Sequence, residues 1–141
     1  MKIFICGSMY FSKEMLMAEK KLETMGHWAK VPCDTKLFAG DPKKTTDNHD
    51  ENLKHCIEQD IIRKCFDDIA ESDAILVLNY PKNGKEGYLG ASVLMEIGLA
   101  YFLKKKIFLL YPPPPVKEEK YTHEVLIMQP TILNGDLSLI S

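Results

Sequence analysis

Glu96 stands in the run Val93, Leu94, Met95, Glu96, Ile97, Gly98, Leu99, Ala100. Glutamate is rarely buried unless it is paired, so a carboxylate in so apolar a run is unusual. A desolvated carboxylate is a candidate general base or nucleophile. Just before it comes Gly90-Ala91-Ser92, where a helix would begin. A helix start exposes free N–H groups, and residues this small leave room for a phosphate or a sugar. A third group is Cys6-Gly7-Ser8-Met9-Tyr10. Gly7 lets the backbone approach a ligand, and Ser8 adds a hydroxyl near a helix N-terminus, where anions are favoured. This is not a phosphate-binding P-loop, since no GK[ST] follows, and with Gly7 alone it is not a dinucleotide fingerprint. Each group also has an ordinary reading: a solvent-facing Glu, a helix cap, a plain β-α turn.

The remaining charge is less selective. Between positions 47 and 73, nine acids face only Lys54, Arg63 and Lys64, a net charge of −6. Such a segment reads as a solvated helix face, and spacing does not single out Asp68 or Asp73. Lys104–Lys106 follow a helix, where cations meet the dipole favourably. The cysteines at 6, 33, 56 and 65 form no CxxC pair and read as reduced thiols of a cytoplasmic protein. Cys56 with His55 and His49 could suggest a metal, but His49 and Cys56 would need two further ligands at no visible spacing, so no metal or other cofactor is expected.

These residues need a scaffold. Lys2–Cys6 is a short apolar run ended by Gly7-Ser8, as in a strand buried on both faces. Met15, Ala18, Leu22 and Met25 recur at helical spacing before Gly26, a C-cap residue. Residues 28–32 predict a second strand, and 33–50 a long mobile loop. The stripe Leu53, Ile57, Ile61, Cys65, Ile69 predicts one helix over 51–70. Strands follow at 73–79, 106–111 and 131–133, and helices at 89–104 and 121–128. Pro112–Pro115 stop the fourth strand.

Short apolar strands alternating with amphipathic helices imply right-handed crossovers. The expected fold is a three-layer α/β sandwich with a five-stranded parallel sheet in flavodoxin-like 2-1-3-4-5 order, as one domain over 1–141. Ligands in such sheets lie beyond the strand C-termini, at the switch point. That places the site among the loops Gly7–Phe11, Asn79–Gly90 and Tyr111 onward.

Composition agrees with one such domain. The chain has 141 residues, 45% hydrophobic and 27% charged, with net charge −2. Arg63 is the one arginine, which argues against a nucleic-acid polymer as partner. No segment reaches about 18 consecutive apolar residues, so no membrane span is expected. The N-terminus MKIFICGSMYF reads as a strand rather than a signal peptide.

On three pieces the sequence resembles the nucleoside 2-deoxyribosyltransferase superfamily, which includes the 2′-deoxynucleoside 5′-phosphate N-hydrolases. They are Cys6-Gly7-Ser8 after strand one, the strand entry Ser72-Asp73-Ala74-Ile75-Leu76-Val77, and Met95-Glu96-Ile97-Gly98-Leu99-Ala100. Their order and spacing fit over about residues 1–111. The resemblance implies an enzyme that cleaves or transfers the N-glycosidic bond of a (deoxy)nucleoside or its 5′-monophosphate. Glu96 would be the nucleophile, attacking the anomeric carbon in an oxocarbenium-like transition state. Gly7, Ser8, Gly90 and Ser92 would hold a 5′-hydroxyl or phosphate, and Asp73 would be structural. Tyr10 and Asn79 join the substrate-binding set as side chains at the ends of strands one and three, with Tyr88 and Asp68 as further candidates.

The resemblance also implies a homodimer or higher homo-oligomer, and the helix at 89–104 is apolar on more than one side. The family carries an active-site Asp where this chain has Cys65. That position motivates an alternative, a nucleotide-binding module without turnover. An interaction protein using Pro112–Pro115 as a polyproline segment is a third reading.

Overall fold

A computed structural model describes residues 1–40 and 49–141. Five strands form one sheet: β1 (Lys2–Cys6), β2 (Trp28–Lys30), β3 (Ala74–Val77), β4 (Lys106–Leu109) and β5 (Thr131–Ile132). Their order is β2-β1-β3-β4-β5, and every pairing is parallel. The helices are α1 (Ser12–Thr24), α2 (Thr35–Gly40), α3 (His49–Glu58), α4 (Ile61–Ala70), α5 (Ala91–Phe102) and α6 (Thr122–Ile127). This is the flavodoxin-like α/β architecture expected from the alternation of elements. Among the described residues, no helix is long and apolar enough to cross a membrane.

Two cores follow from the period-two alternation of the strands. Ile3, Ile5, Ala74, Leu76 and Phe108 point to one side, against Met15, Ala18 and Leu22 of α1. Phe4, Cys6, Ile75, Val77, Ile107 and Leu109 point to the other, against Cys65 and Ile69 of α4 and Val93, Ile97 and Ala100 of α5. Strand β1 is thus buried on both faces, with Ile3 through Cys6 all at 1% exposure or less. The parity also sends Cys6 to the α5 side. Helix α1 ends as its sequence predicts. Gly26 takes φ +92, its N–H donates to the Glu23 carbonyl, and the His27 N–H reaches the Leu22 carbonyl.

Asp73 has the structural role that the resemblance implied. Its Oδ2 accepts from the Lys2 N–H at 2.8 Å and joins the starts of β1 and β3. Asp68 pairs with Lys30 at 2.6 Å, in a hollow lined by Lys2, Trp28, Glu71 and Ser72.

Two expected elements are corrected. The loop expected over 33–50 contains α2, because Thr35 and Phe38 bury against the domain. Residues 41–48 of that loop lie outside the described residues, and His49 and Asp50 already belong to α3. The single helix expected over 51–70 is two helices. Asp60 takes left-handed φ 50, ψ 46 between them, a conformation that Asp tolerates better than most residues. Its carboxylate accepts from Arg63 Nε at 2.9 Å. Of the apolar stripe, Cys65 and Ile69 are buried, while Leu53 and Ile57 are 50% and 69% exposed.

Candidate active site

Helix α5 positions Glu96. Val93, Glu96, Ile97 and Ala100 are its buried positions, and their three- and four-residue spacing puts them on one face. The carboxylate therefore lies in the stripe that packs on the sheet, and only 7% of the residue is exposed. Its Oε2 is buried and has no hydrogen-bond partner in the structure. Burial pushes the Glu96 carboxyl up from its ordinary 4.5 to about 7, partly opposed by the Cys6 thiol hydrogen-bonded to it. The thiols beside it move the same way. Burial, with the Glu96 charge second, pushes Cys6 well up and Cys65 to about 12. Both are therefore neutral S–H groups near neutral pH.

Glu96 lines a crevice of about 340 Å³ at the C-terminal ends of β1, β2 and β3. The loop after β1 contributes Gly7, Ser8 and Met9, and the α5 N-terminus contributes Gly90, Ala91, Ser92 and Val93. Gly90 is the N-cap of α5 and gives no side-chain cap bond, so the first N–H groups of the helix have no side-chain partner at the cap. Gly7 permits a close approach: a Cβ there would stand 2.9 Å from the Met15 methyl and 3.3 Å from the Leu78 carbonyl oxygen. Of the sequence candidates, Gly7, Ser8, Tyr88, Gly90, Ser92 and Glu96 come together in this crevice.

Asn79 and Tyr10 do not line it. Asn79 is fully buried, and its amide is spent on backbone. Nδ2 donates to the Tyr111 carbonyl at 2.7 Å and, at 3.5 Å, to the Gly87 carbonyl, while Oδ1 accepts from the Tyr111 N–H at 2.9 Å. Asn79 thus ties the end of β3 to the end of β4. Tyr10 is 54% exposed, and its ring packs edge-on to Phe11. The loop from Tyr111 is also absent from the crevice lining. Its ring joins Tyr80 on the α1 side, in a hollow with Met17, Leu78 and Leu110.

The opposite wall, apart from the Cys65 position that the resemblance implied, was not anticipated from sequence. Pro32, Asp34 and Phe38 come from the segment after β2, Asn52 and Cys56 from α3, and Ile61 and Cys65 from α4. His55 Nε2 lies 2.8 Å from Asp34 Oδ2 and joins α3 to the segment after β2. Lys82 was also missed, although it is the one cationic side chain lining the crevice among the described residues. Its Nζ donates to Ser8 Oγ at 3.0 Å and lies 5.1 Å and 5.5 Å from the ring centres of Tyr88 and Tyr10. A glycine-rich loop carrying Lys82 and Lys85 was its only sequence signal, because its partner lies 74 positions away.

A larger hollow of about 820 Å³ lies near the C-terminal end of α5, lined by Tyr101, Phe102, Lys104, Lys105 and Lys106 among others. It contains no buried carboxylate or thiol, so the smaller crevice is where the chemistry concentrates. There, a dry carboxylate near neutrality faces space bordered by an uncapped helix N-terminus, a hydroxyl and an ammonium.

No family model and no curated protein matches the chain. Among solved structures, it is similar to the CMP N-glycosidase BcmB of Clostridium botulinum, at 18% identity and a TM-score of 0.47, covering 94% of this chain and 85% of that one.

Proposed function

We propose that the protein cleaves or transfers the N-glycosidic bond of a (deoxy)nucleoside or its 5′-monophosphate, with Glu96 as nucleophile. One observation carries this reading: the Glu96 carboxyl lines the crevice with a buried, unpartnered oxygen and an ionisation raised to about 7. A carboxylate stripped of hydration is a stronger nucleophile and a closer counter-charge to an oxocarbenium-like carbon. In the first step a Glu96 oxygen bonds to the anomeric carbon. The electron pair of the C–N bond leaves with the base, which takes up a proton. In the second step water, or a second base, bonds to that carbon and releases a proton to solvent, and the glycosyl–Glu96 bond returns its electron pair to the carboxylate. Gly7, Ser8, Gly90 and Ser92 hold the sugar and its 5′ substituent.

The test is a panel of nucleosides and 5′-monophosphates incubated with wild type and Glu96→Gln, with free base read by chromatography. Wild type releases base from some member, and Glu96→Gln does not. Equal rates for the two proteins overturn the mechanism.

A second reading is a nucleotide-binding module without turnover. It is favoured by the neighbour of Glu96, since a weak thiol donor, Cys6, is the group that opposes the burial of its charge. Saturable nucleotide binding with no base release over a long incubation supports it.

We also propose a homodimer formed through α5. The outer side of α5 carries no charge, with Met95 47% and Phe102 78% exposed, and Ile62 of α4 is 50% exposed. Helices apolar all round are ordinarily covered.

A further inference from the structure

Lys82 has no part in the chemistry of the C–N bond proposed above, yet it is the one cationic side chain lining the crevice among the described residues. Its ammonium is held on three sides, by the Ser8 hydroxyl and by the faces of Tyr88 and Tyr10. The loop carrying it is itself fixed. Lys82 and Lys85 exchange two backbone hydrogen bonds, Lys85 pairs with Glu119, and Asn79 Nδ2 donates to the Gly87 carbonyl. Gly87 takes φ +67, and a Cβ there would stand 2.0 Å from the Pro112 carbonyl oxygen, so that close contact requires glycine.

Ser8 Oγ already accepts two hydrogen bonds, from Lys82 Nζ and from the Tyr10 N–H at 3.2 Å. A hydroxyl has two acceptor positions and one donor, so its own O–H is left to donate outward. Ser8 and Lys82 therefore present an O–H and an ammonium together, and the uncapped start of α5 borders the same crevice. Donors of this kind match a phosphate monoester better than a neutral hydroxyl; of the two carboxylates lining the same crevice, Asp34 is paired with His55 and Glu96 is the proposed nucleophile. In a nucleoside 5′-monophosphate the phosphate is carried on the far side of the sugar ring from the anomeric carbon. An anion seat at the loops and a nucleophile on α5 suit that arrangement.

We propose that Lys82 is the specificity-determining residue of the crevice, and that with Ser8 it selects a nucleoside 5′-monophosphate over the free nucleoside. This rests on the glycosidic reading above but is read separately from it. Two measurements test it. Calorimetry on the Glu96→Gln protein, which cannot turn over, compares nucleoside 5′-monophosphates, the matching nucleosides and inorganic phosphate. Base release by wild type, Lys82→Ala and Lys82→Arg gives the ratio of kcat/KM for monophosphate over nucleoside. The expected results are tighter binding of a monophosphate than of its nucleoside or of inorganic phosphate. Lys82→Ala lowers the kcat/KM ratio by about 10- to 100-fold, as for loss of a charge-assisted bond, and Lys82→Arg keeps more of it than Lys82→Ala. Circular dichroism confirms folding of each variant.

A ratio equal in wild type and Lys82→Ala overturns the inference and leaves the glycosidic reading standing. Lys82-dependent binding of monophosphate without base release overturns the glycosidic reading and leaves the anion seat standing. Binding of inorganic phosphate as tight as that of any monophosphate overturns the assignment of the substrate class. No binding and no release overturn both.

Discussion

Cys6 and Glu96, 90 positions apart in the chain, stand together between the end of β1 and the second turn of α5, where each shifts the ionisation of the other. Both are buried, at 1% and 7% exposure. The thiol is the weaker kind of donor, so it opposes only part of the cost of burying the carboxylate. The pair sets how the crevice responds to pH, and the following outcomes are expected.

The acid limb of activity reports Glu96. A nucleophilic carboxylate must be ionised, and kcat/KM follows the free enzyme. With Glu96 at about 7, kcat/KM rises through that pH and falls about 100-fold two pH units below it. An acid limb at the ordinary carboxylate range, near 4.5, contradicts the buried state of Glu96.

Cys6→Ser and Cys6→Ala move that limb in opposite directions. The Cys6 hydrogen bond lowers the Glu96 ionisation. A hydroxyl donates more strongly than a thiol, so Cys6→Ser shifts the limb to lower pH. Cys6→Ala removes the donor and shifts it upward. Carboxyl titration by NMR reads the same order without substrate, and identical titrations in all three proteins would refute the coupling.

Stability carries the opposite sign. A carboxyl raised from 4.5 to about 7 on folding means that the native state holds the proton more tightly, so stability is greatest below 4.5 and is lost as pH rises to about 7. The interval corresponds to about 3 kcal/mol. Glu96→Gln, which cannot ionise, removes this contribution. Its stability relative to wild type therefore increases between pH 4.5 and 7, as measured by urea midpoints at fixed ionic strength.

Asn79→Ala destabilises the protein. It leaves the buried N–H and carbonyl of Tyr111 without the partners described above, a loss of about 3 kcal/mol. Denaturant unfolding gives the value. A change below about 0.5 kcal/mol, the size of an ordinary surface substitution, would mean that Asn79 does not tie β3 to β4.

Phe102→Glu tests the dimer. Light scattering coupled to size exclusion at micromolar protein gives twice the chain mass for wild type and the single chain mass for Phe102→Glu. A wild-type protein that elutes as a monomer across that range removes α5 as an interface.

The residues that divide sequence from tertiary structure are few. The strands were legible because apolar runs such as Ile3–Cys6 and Ala74–Val77 are bounded by turn residues, and burial on both faces of a parallel sheet demands such runs. The sheet order followed from right-handed crossovers. Glu96 was legible because a charge in a helix's apolar stripe violates the local pattern, and such violations concentrate at functional sites. The break at Asp60 was not legible, since an i, i+4 apolar stripe is indifferent to a left-handed residue that turns one helix into two.

Tertiary structure alone decided what surrounds Glu96. Whether Asn79 faces substrate or backbone depends on the neighbouring strand, because a strand end offers its side chain to either. Lys82 meets Ser8 through a loop whose path is held by Glu119, Pro112 and Asn79, contacts far apart in the chain. Cys6 reaches Glu96 because strand parity and helix phase happen to coincide at one height in the sheet. Sequence thus determined the scaffold and its one anomalous carboxylate, which are encoded locally by periodicity. The donors, the thiol and the ammonium around that carboxylate are fixed by packing between distant segments, which no local pattern records.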